Sequence, residues 1–384
     1  MGANPPLALP SPPARRAPHL AESNSVFGDD LHSIRDAFTG KRFPALDGLR
    51  LIAMLEVVLY HAGHSGFLDG VQCFFVLSGF LFAALLDREF TRTGTISLSN
   101  FYRRRFLRIF PAFLAAVAAT IACKEMLRVP VDYAHAFASI TCWGNYYNVL
   151  HDHPATGFAS FWTLAVEQQF YLVFPVFLLF TLSRRGRTGA MTLLATIATG
   201  CILWRAFAAF GLNASSAYLY NAFENRIDQF AVGALCGLAI TSVAFQRFIA
   251  RITNRAWFPL LTVALLYVAG LPTDTGWRFG LSAAITTPLM ACLILQLVAL
   301  HQHRAWRWLE HPWVIYGGTL SYSAYLYHHL GLALGHRVPS IGTFVGILMT
   351  MTLAALSYHL IEQPVQRRRT TPRTQTSAAV PTPS

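Results

Sequence analysis

The stretch "LDGLRLIAMLEVVLYHAG", residues 46–63, is long enough to cross a hydrocarbon core as one helix. It nevertheless carries Asp47, Arg50, Glu56 and His61. Ionisable groups near the centre of a span cost about 2.5–3.5 kcal/mol each on insertion scales, so they mark a pathway or a site. Arg50 and His61 differ by a net rotation of about 20° and a rise of roughly 16 Å, which puts them on one stripe of the helix. Glu56 lies about 120° from Arg50 around the helix and faces a different neighbour. Each residue also has a plainer reading. His61 could be an interfacial histidine bonded to another helix, and Arg50 a snorkelling side chain at the membrane boundary.

The rest of the chain sets this helix in a polytopic membrane protein. Its 384 residues are 54% hydrophobic and 12% charged, against about 25% charged in soluble domains. The net charge of +12 does not point to nucleic acid, because the basic residues sit in short clusters between apolar runs. Runs of spanning length lie near 45–63, 70–87, 104–123, 162–182, 189–209, 224–242, 256–271, 279–300, 312–332 and 339–360. The connections after every second run are rich in arginine: Arg103, Arg104, Arg105 and Arg108, then Arg184, Arg185 and Arg187, then Arg247, Arg251 and Arg255, then Arg304 and Arg307. The alternate connections carry few basic residues. By the positive-inside rule both termini are cytoplasmic, which requires an even number of spans.

The expected fold is therefore all-α, with about ten transmembrane helices. Residues 1–43 read as a disordered, Pro-rich cytoplasmic tail, 44–365 as the transmembrane domain, and 366–384 as a basic, disordered cytoplasmic tail. No appended soluble domain is expected. The longest outward connection, residues 124–161, contains "ITCWGNYYNVLHDH", with aromatics suited to an interface or to a loop over a site. Cys123, Cys201 and Cys236 lie in apolar runs, where a buried thiol is the simplest reading. His151 and His153 flank Asp152, but no third ligand is evident, so no metal site is expected.

A wider pattern joins these pieces. "LDGLR" followed by His61, then "GVQCFFVLSGFLFAALL" at 70–86, "FYRRRFLRIFP" at 101–111 and "SFWTLAVEQQFYLVFP" at 160–175 occur in order among the runs. "NRIDQFAVGAL" at 225–235, "LSYSAYLYHH" at 320–329 and "IEQP" at 361–364 follow. Together they resemble the acyltransferase-3 family of integral membrane O-acyltransferases, over roughly residues 43–365. The resemblance implies a bacterial inner-membrane enzyme that moves an acyl group, usually acetyl from acetyl-CoA, to a hydroxyl of a saccharide or glycan. It also implies partners: acyl-CoA, the glycan acceptor and membrane lipid, with no tightly bound cofactor and no nucleic acid.

O-acyl transfer needs a base for the acceptor hydroxyl, charge stabilisation at the thioester carbon, and a grip on polyanionic CoA. His61 matches the family's essential histidine and is the expected base; an imidazole suits that task near neutral pH. Glu167 matches the glutamate of the "WTLxVExQFY" pattern and, near the outer end of its helix, is expected to orient His61; alternatively it bridges packed helices. Arg105 and Arg108 form an RxxR close in depth to Arg50, and all three are expected to hold the CoA phosphates. The positive-inside bias alone would also produce arginines there. Gln72, Ser78, Tyr325 and His328 are candidate acceptor contacts, although Ser78 with Gly79, and Tyr325 with His328, also suit helix packing. Arg226 and Asp228 are too close in sequence to face each other, so each should pair with another helix.

Two positions depart from the family. Gln72 stands where an acidic residue is usual, and Glu56 where an apolar one is. The competing reading is a transporter or flippase for a lipid-linked or glycan substrate, with the buried charges lining a path. It would favour related halves or matching broken helices, and neither is apparent.

Overall fold

The computed structural model describes residues 34, 37–38, 43–64, 68–272, 274–338 and 341–370. Among the described residues there are helices and turns and no strand. Most of both expected tails lies outside this set. Within them, Ile34 and Phe38 are helical and buried, Phe38 edge-on to Phe80 at 6.4 Å, and the chain is helical over Gln363–Thr370.

The described residues of each of the ten predicted segments are mostly helical. They form α1 (Pro44–His61), α2 (Gly70–Thr93) and α3 (Leu98–Met126), then, after the outer connection, α6 (Trp162–Phe210). That connection contributes α4 (Tyr133–Ile140) and α5 (Gly144–Leu150). The remaining elements are α7 (Ser216–Asn221), α8 (Ile227–Ala239), α9 (Val243–Thr253), α10 (Phe258–Gly270), α11 (Ser282–Ala299), α12 (Pro312–Gly335), α13 (Gly342–Ser357) and α14 (Gln363–Thr370). Five helical stretches are long and apolar enough to cross a membrane, and α8 with α9 could make a sixth if the pair, bent by 109°, is one span. The stretch at α6 is interrupted at Gly186, whose φ of 64° and ψ of −172° are not helical. Arg184, Arg185 and Arg187 surround this break, in agreement with two predicted runs on either side. Helix α1 carries Asp47, Arg50 and Glu56, too many charges for a simple span.

Residues 243–255 were expected to be a basic connection. The structure makes most of them α9, with Gln246 and Ile249 buried and Arg247 and Arg251 exposed. Basic residues on one face and apolar ones on the other suit a helix lying in an interface.

Local signals set the ends of α2. The Asp69 side chain accepts from the Gln72 backbone N–H at 2.9 Å, and Gly94 closes the helix in the left-handed region at φ 74°. Its middle is set by small residues. A Cβ on Gly79 would stand 2.1 Å from the Phe230 carbonyl oxygen, and one on Gly233 would stand 2.1 Å from that of Val76. Helices α2 and α8 thus cross backbone to backbone, as small residues permit. In the same way Gly318 of α12 lies against the Asp47 carbonyl of α1. A Gly79→Val variant should lose about 1–3 kcal/mol or more, because the rigid backbone of α8 must move. Thermal unfolding of the purified protein in detergent would show this, and an unchanged midpoint would contradict the close crossing.

The outer connection is an ordered cap. The His135 ring stacks on Tyr147 at 4.4 Å, Tyr147 OH donates to Asp132 at 2.9 Å, and Thr156 bonds the His135 ring at 2.7 Å. Burial pushes the His135 imidazole down to about 4, so it is neutral at pH 7. Asn148 ties the cap to the bundle, donating to Ala159 O at 3.0 Å and to Asn221 at 3.1 Å.

Candidate active site

A cavity of about 590 Å³ opens between α1, α2, α3, α6 and α12. Arg50, Arg105 and Arg108, predicted to act together, all line it, and so does Arg88. Phe43 and Gln366 also reach it, so it lies at the end of the bundle where α1 begins and α14 lies. Arg50 is braced by Asp47 at 3.2 Å. Arg105 stands over the Phe82 ring, its guanidinium carbon 4.0 Å from the centroid, and its Nε has no hydrogen-bond acceptor among the described residues. A guanidinium held by a ring face keeps N–H groups to offer a ligand.

Glu167 shares this cavity. Its Oε1 accepts from Ser78 Oγ at 2.8 Å and from Tyr171 OH. The Ser78 hydroxyl lies 3.2 Å from that of Tyr171, so the three side chains form one polar wall. Deeper in, Tyr325 OH stands 2.6 Å from Thr163 Oγ1 and donates to the Ser160 carbonyl at 2.7 Å. Both Tyr325 and Thr163 line the cavity.

His61 is not part of that lining. It ends α1, exposed, with its ring 4.8 Å from that of His328 and 4.5 Å from that of His329. Its Nδ1 lies 2.8 Å from the Val57 carbonyl oxygen. A carbonyl only accepts, so Nδ1 carries the proton and Nε2 keeps its lone pair. The imidazole is therefore oriented by its own helix. The expectation that Glu167 orients it finds no bond between them: the carboxylate is engaged by Ser78 and Tyr171 instead. Tyr325 connects the two regions, since it lines the cavity while its ring lies 5.2 Å from that of His328.

Gln72 lies elsewhere. Its Nε2 donates to Thr286 Oγ1 at 2.9 Å and Thr287 Oγ1 at 3.0 Å on α11, and the residue is buried outside the cavity. In this structure it joins two helices. Asp228 pairs with Arg205 of α6, and Arg226 lies over the Tyr220 ring at 4.7 Å and donates to the Tyr220 carbonyl at 2.8 Å, so neither faces the other. Sequence reasoning did not single out His329 or Thr163, whereas Tyr171 was expected beside Glu167 on the same helical turn and Arg88 among the basic residues after α2. The "YHH" at 327–329 was the available signal for His329, and Tyr171 follows Glu167 by one helical turn.

The sequence model of the family described as "Acyltransferase domain" matches residues 43–359. The chain belongs to the acyltransferase-3 family. Curated relatives agree with this membership. A Staphylococcus aureus (strain COL) protein named "Putative O-acetyltransferase" is 27% identical over 358 residues, covering 84% of this chain and 57% of that protein. The protein named O-acetyltransferase OatA from S. aureus (strain NCTC 8325) is 26% identical over 372 residues, covering 88% of this chain and 60% of its own length. The chain thus spans less than two thirds of the length of the curated relatives it matches. No solved structure matches it. Membership and the apolar helices together make it a multi-pass membrane protein of this family, similar to proteins named O-acetyltransferases.

Proposed function

We propose that this protein is an O-acetyltransferase of the bacterial inner membrane, taking acetyl from acetyl-CoA to a hydroxyl of a saccharide or glycan. In this reading ten spans place both termini in the cytoplasm, and the arginine-lined end of the bundle faces inward. The observation that carries it is the convergence of Arg50, Arg105 and Arg108 with Glu167 in one cavity of an acyltransferase-family chain.

CoA phosphates sit among the arginines, which bind phosphate oxygens in pairs. The pantetheine arm runs along the wall of Ser78, Glu167 and Tyr171 towards the Tyr325–Thr163 pair. The glycan hydroxyl arrives from the opposite end, at His61, whose Nε2 takes its proton. The hydroxyl oxygen bonds the acyl carbon as the C–S bond breaks, and the CoA thiolate leaves with the proton passed on. The α1 rise of roughly 16 Å between Arg50 and His61 is a distance an extended thioester arm can cover.

Membranes holding the protein should transfer radiolabel from acetyl-CoA to envelope glycans. Arg105→Gln should weaken donor affinity by about 10- to 100-fold, the cost of losing a hydrogen bond to a charged group, with a smaller effect at saturating donor. Wild-type membranes that move no label from any short acyl-CoA would sink the reading. Transfer unaffected by Arg105→Gln would remove the donor site from this cavity.

A further inference from the structure

His61, His328 and His329 form a compact cluster that the transfer chemistry uses only in part. One ring nitrogen of each lies within 4.8 Å of those of the other two. The rings of His328 and His329 are 4.4 Å apart, closing the triangle. We propose that the three imidazoles form a binding site for a divalent transition-metal ion, with Zn²⁺ the best match, at the His61 end of the bundle.

Tautomers support this. His328 Nδ1 lies 2.6 Å from the Tyr325 carbonyl oxygen, and His61 Nδ1 lies 2.8 Å from that of Val57. Both rings therefore hold their proton on Nδ1 and turn the Nε2 lone pair away from the helix. A ligating histidine characteristically donates its other N–H to a carbonyl or carboxylate. His328 is fully buried, yet its Nε2 has no hydrogen-bond partner among the described residues. An unmet lone pair there costs desolvation with no return unless a donor or a cation meets it.

Composition and access fit as well. Three imidazoles with an open fourth position are a known zinc arrangement, with Zn–N of about 2.0–2.1 Å. Ligand nitrogens in such a site are about 3.3 Å apart, which small side-chain rotations reach from the present spacing. His61 is exposed and His329 partly buried, so an ion can enter from outside the cluster. The cluster also stands at the C-terminal end of α1, where the carbonyl ends favour a cation.

The site stands on this geometry, whereas its effect on transfer rests on His61 being the base. A His61 Nε2 that holds an ion cannot accept a proton, so zinc and base catalysis exclude one another. Zn²⁺ then acts as a brake on acyl transfer.

The test uses the full chain purified in detergent with a tag free of histidine. Equilibrium dialysis should find one Zn²⁺ per chain, and Co²⁺ in its place should give the intense visible bands of a four-coordinate site. His328→Ala and His329→Ala should each weaken binding beyond the roughly 10- to 100-fold that outer-shell changes cost, while His151→Ala keeps it. His329 is the less buried position, so its variant serves if His328→Ala does not elute as a folded monodisperse protein. Substoichiometric zinc, or binding unchanged in both variants, overturns the site. Acetyl transfer is read on the same samples. Suppression by one equivalent of Zn²⁺, reversed by a chelator, supports the brake; full activity with zinc bound refutes it. Transfer absent with and without zinc, while dialysis and Co²⁺ spectra hold, keeps the site and removes the acetyltransferase reading instead.

Discussion

His61→Ala is expected to lower acyl transfer by about 100- to 10,000-fold, the usual contribution of a positioned general base. The loss should fall on turnover. Donor affinity should change little, because His61 does not line the arginine cavity. His61→Gln should be as slow as His61→Ala: its amide can occupy the same space but cannot take a proton at neutral pH. The measurement is initial rate against acetyl-CoA concentration in membranes of equal protein content. Equal rates in wild type and variant would remove His61 from catalysis. A variant that loses donor affinity in proportion to rate would make it a positioning residue.

The second large effect concerns stability. Arg205 of α6 and Asp228 of α8 are buried, with 1% and 0% of their side chains exposed. Two bonds join them: Arg205 Nη1 to Asp228 Oδ1 at 3.1 Å and Nη2 to Oδ2 at 2.9 Å. The same guanidinium donates to the Asn225 carbonyl at 2.7 Å and the Gly280 carbonyl at 3.1 Å. One side chain therefore ties α6, the turn before α8 and the turn before α11. Arg205→Met alone should cost about 3–5 kcal/mol, because it strands a buried carboxylate. Replacing both, as Arg205→Met with Asp228→Leu, should recover much of that, since the stranded charge is gone. Thermal unfolding in detergent would separate these cases. A single variant as stable as wild type would mean that solvent reaches Asp228.

The fate of the predicted site shows how far sequence reaches. Arg50, Arg105 and Arg108 could be placed at one depth because helix rise and the positive-inside bias are both written locally. The structure brings those three into one cavity. Glu167 and His61 were given a similar depth by the same reasoning, yet depth does not fix azimuth. Rotation of α6 turns Glu167, with Tyr171 one helical turn on, towards Ser78 of α2, and Tyr325 lies between the cavity and the histidines. Gln72 sits in the segment that resembles the family motif, but the packing of α2 on α11 directs it to Thr286 and Thr287.

What the sequence determined by itself is the long apolar helical segments, the charge alternation between them and membership of the acyltransferase-3 family. Each depends on residues close together in the chain, where rise, hydropathy and motif order suffice. Tertiary structure decided which faces meet. The crossing of α2 and α8 at Gly79 and Gly233, the 109° bend into α9, and the meeting of His61 with His328 and His329 depend on contacts between residues far apart in sequence. Lipid is as apolar as the side chains it solvates, so hydropathy alone cannot say which face of a helix turns inward. Close packing and hydrogen bonds between helices settle that, and they exist only once the bundle has formed.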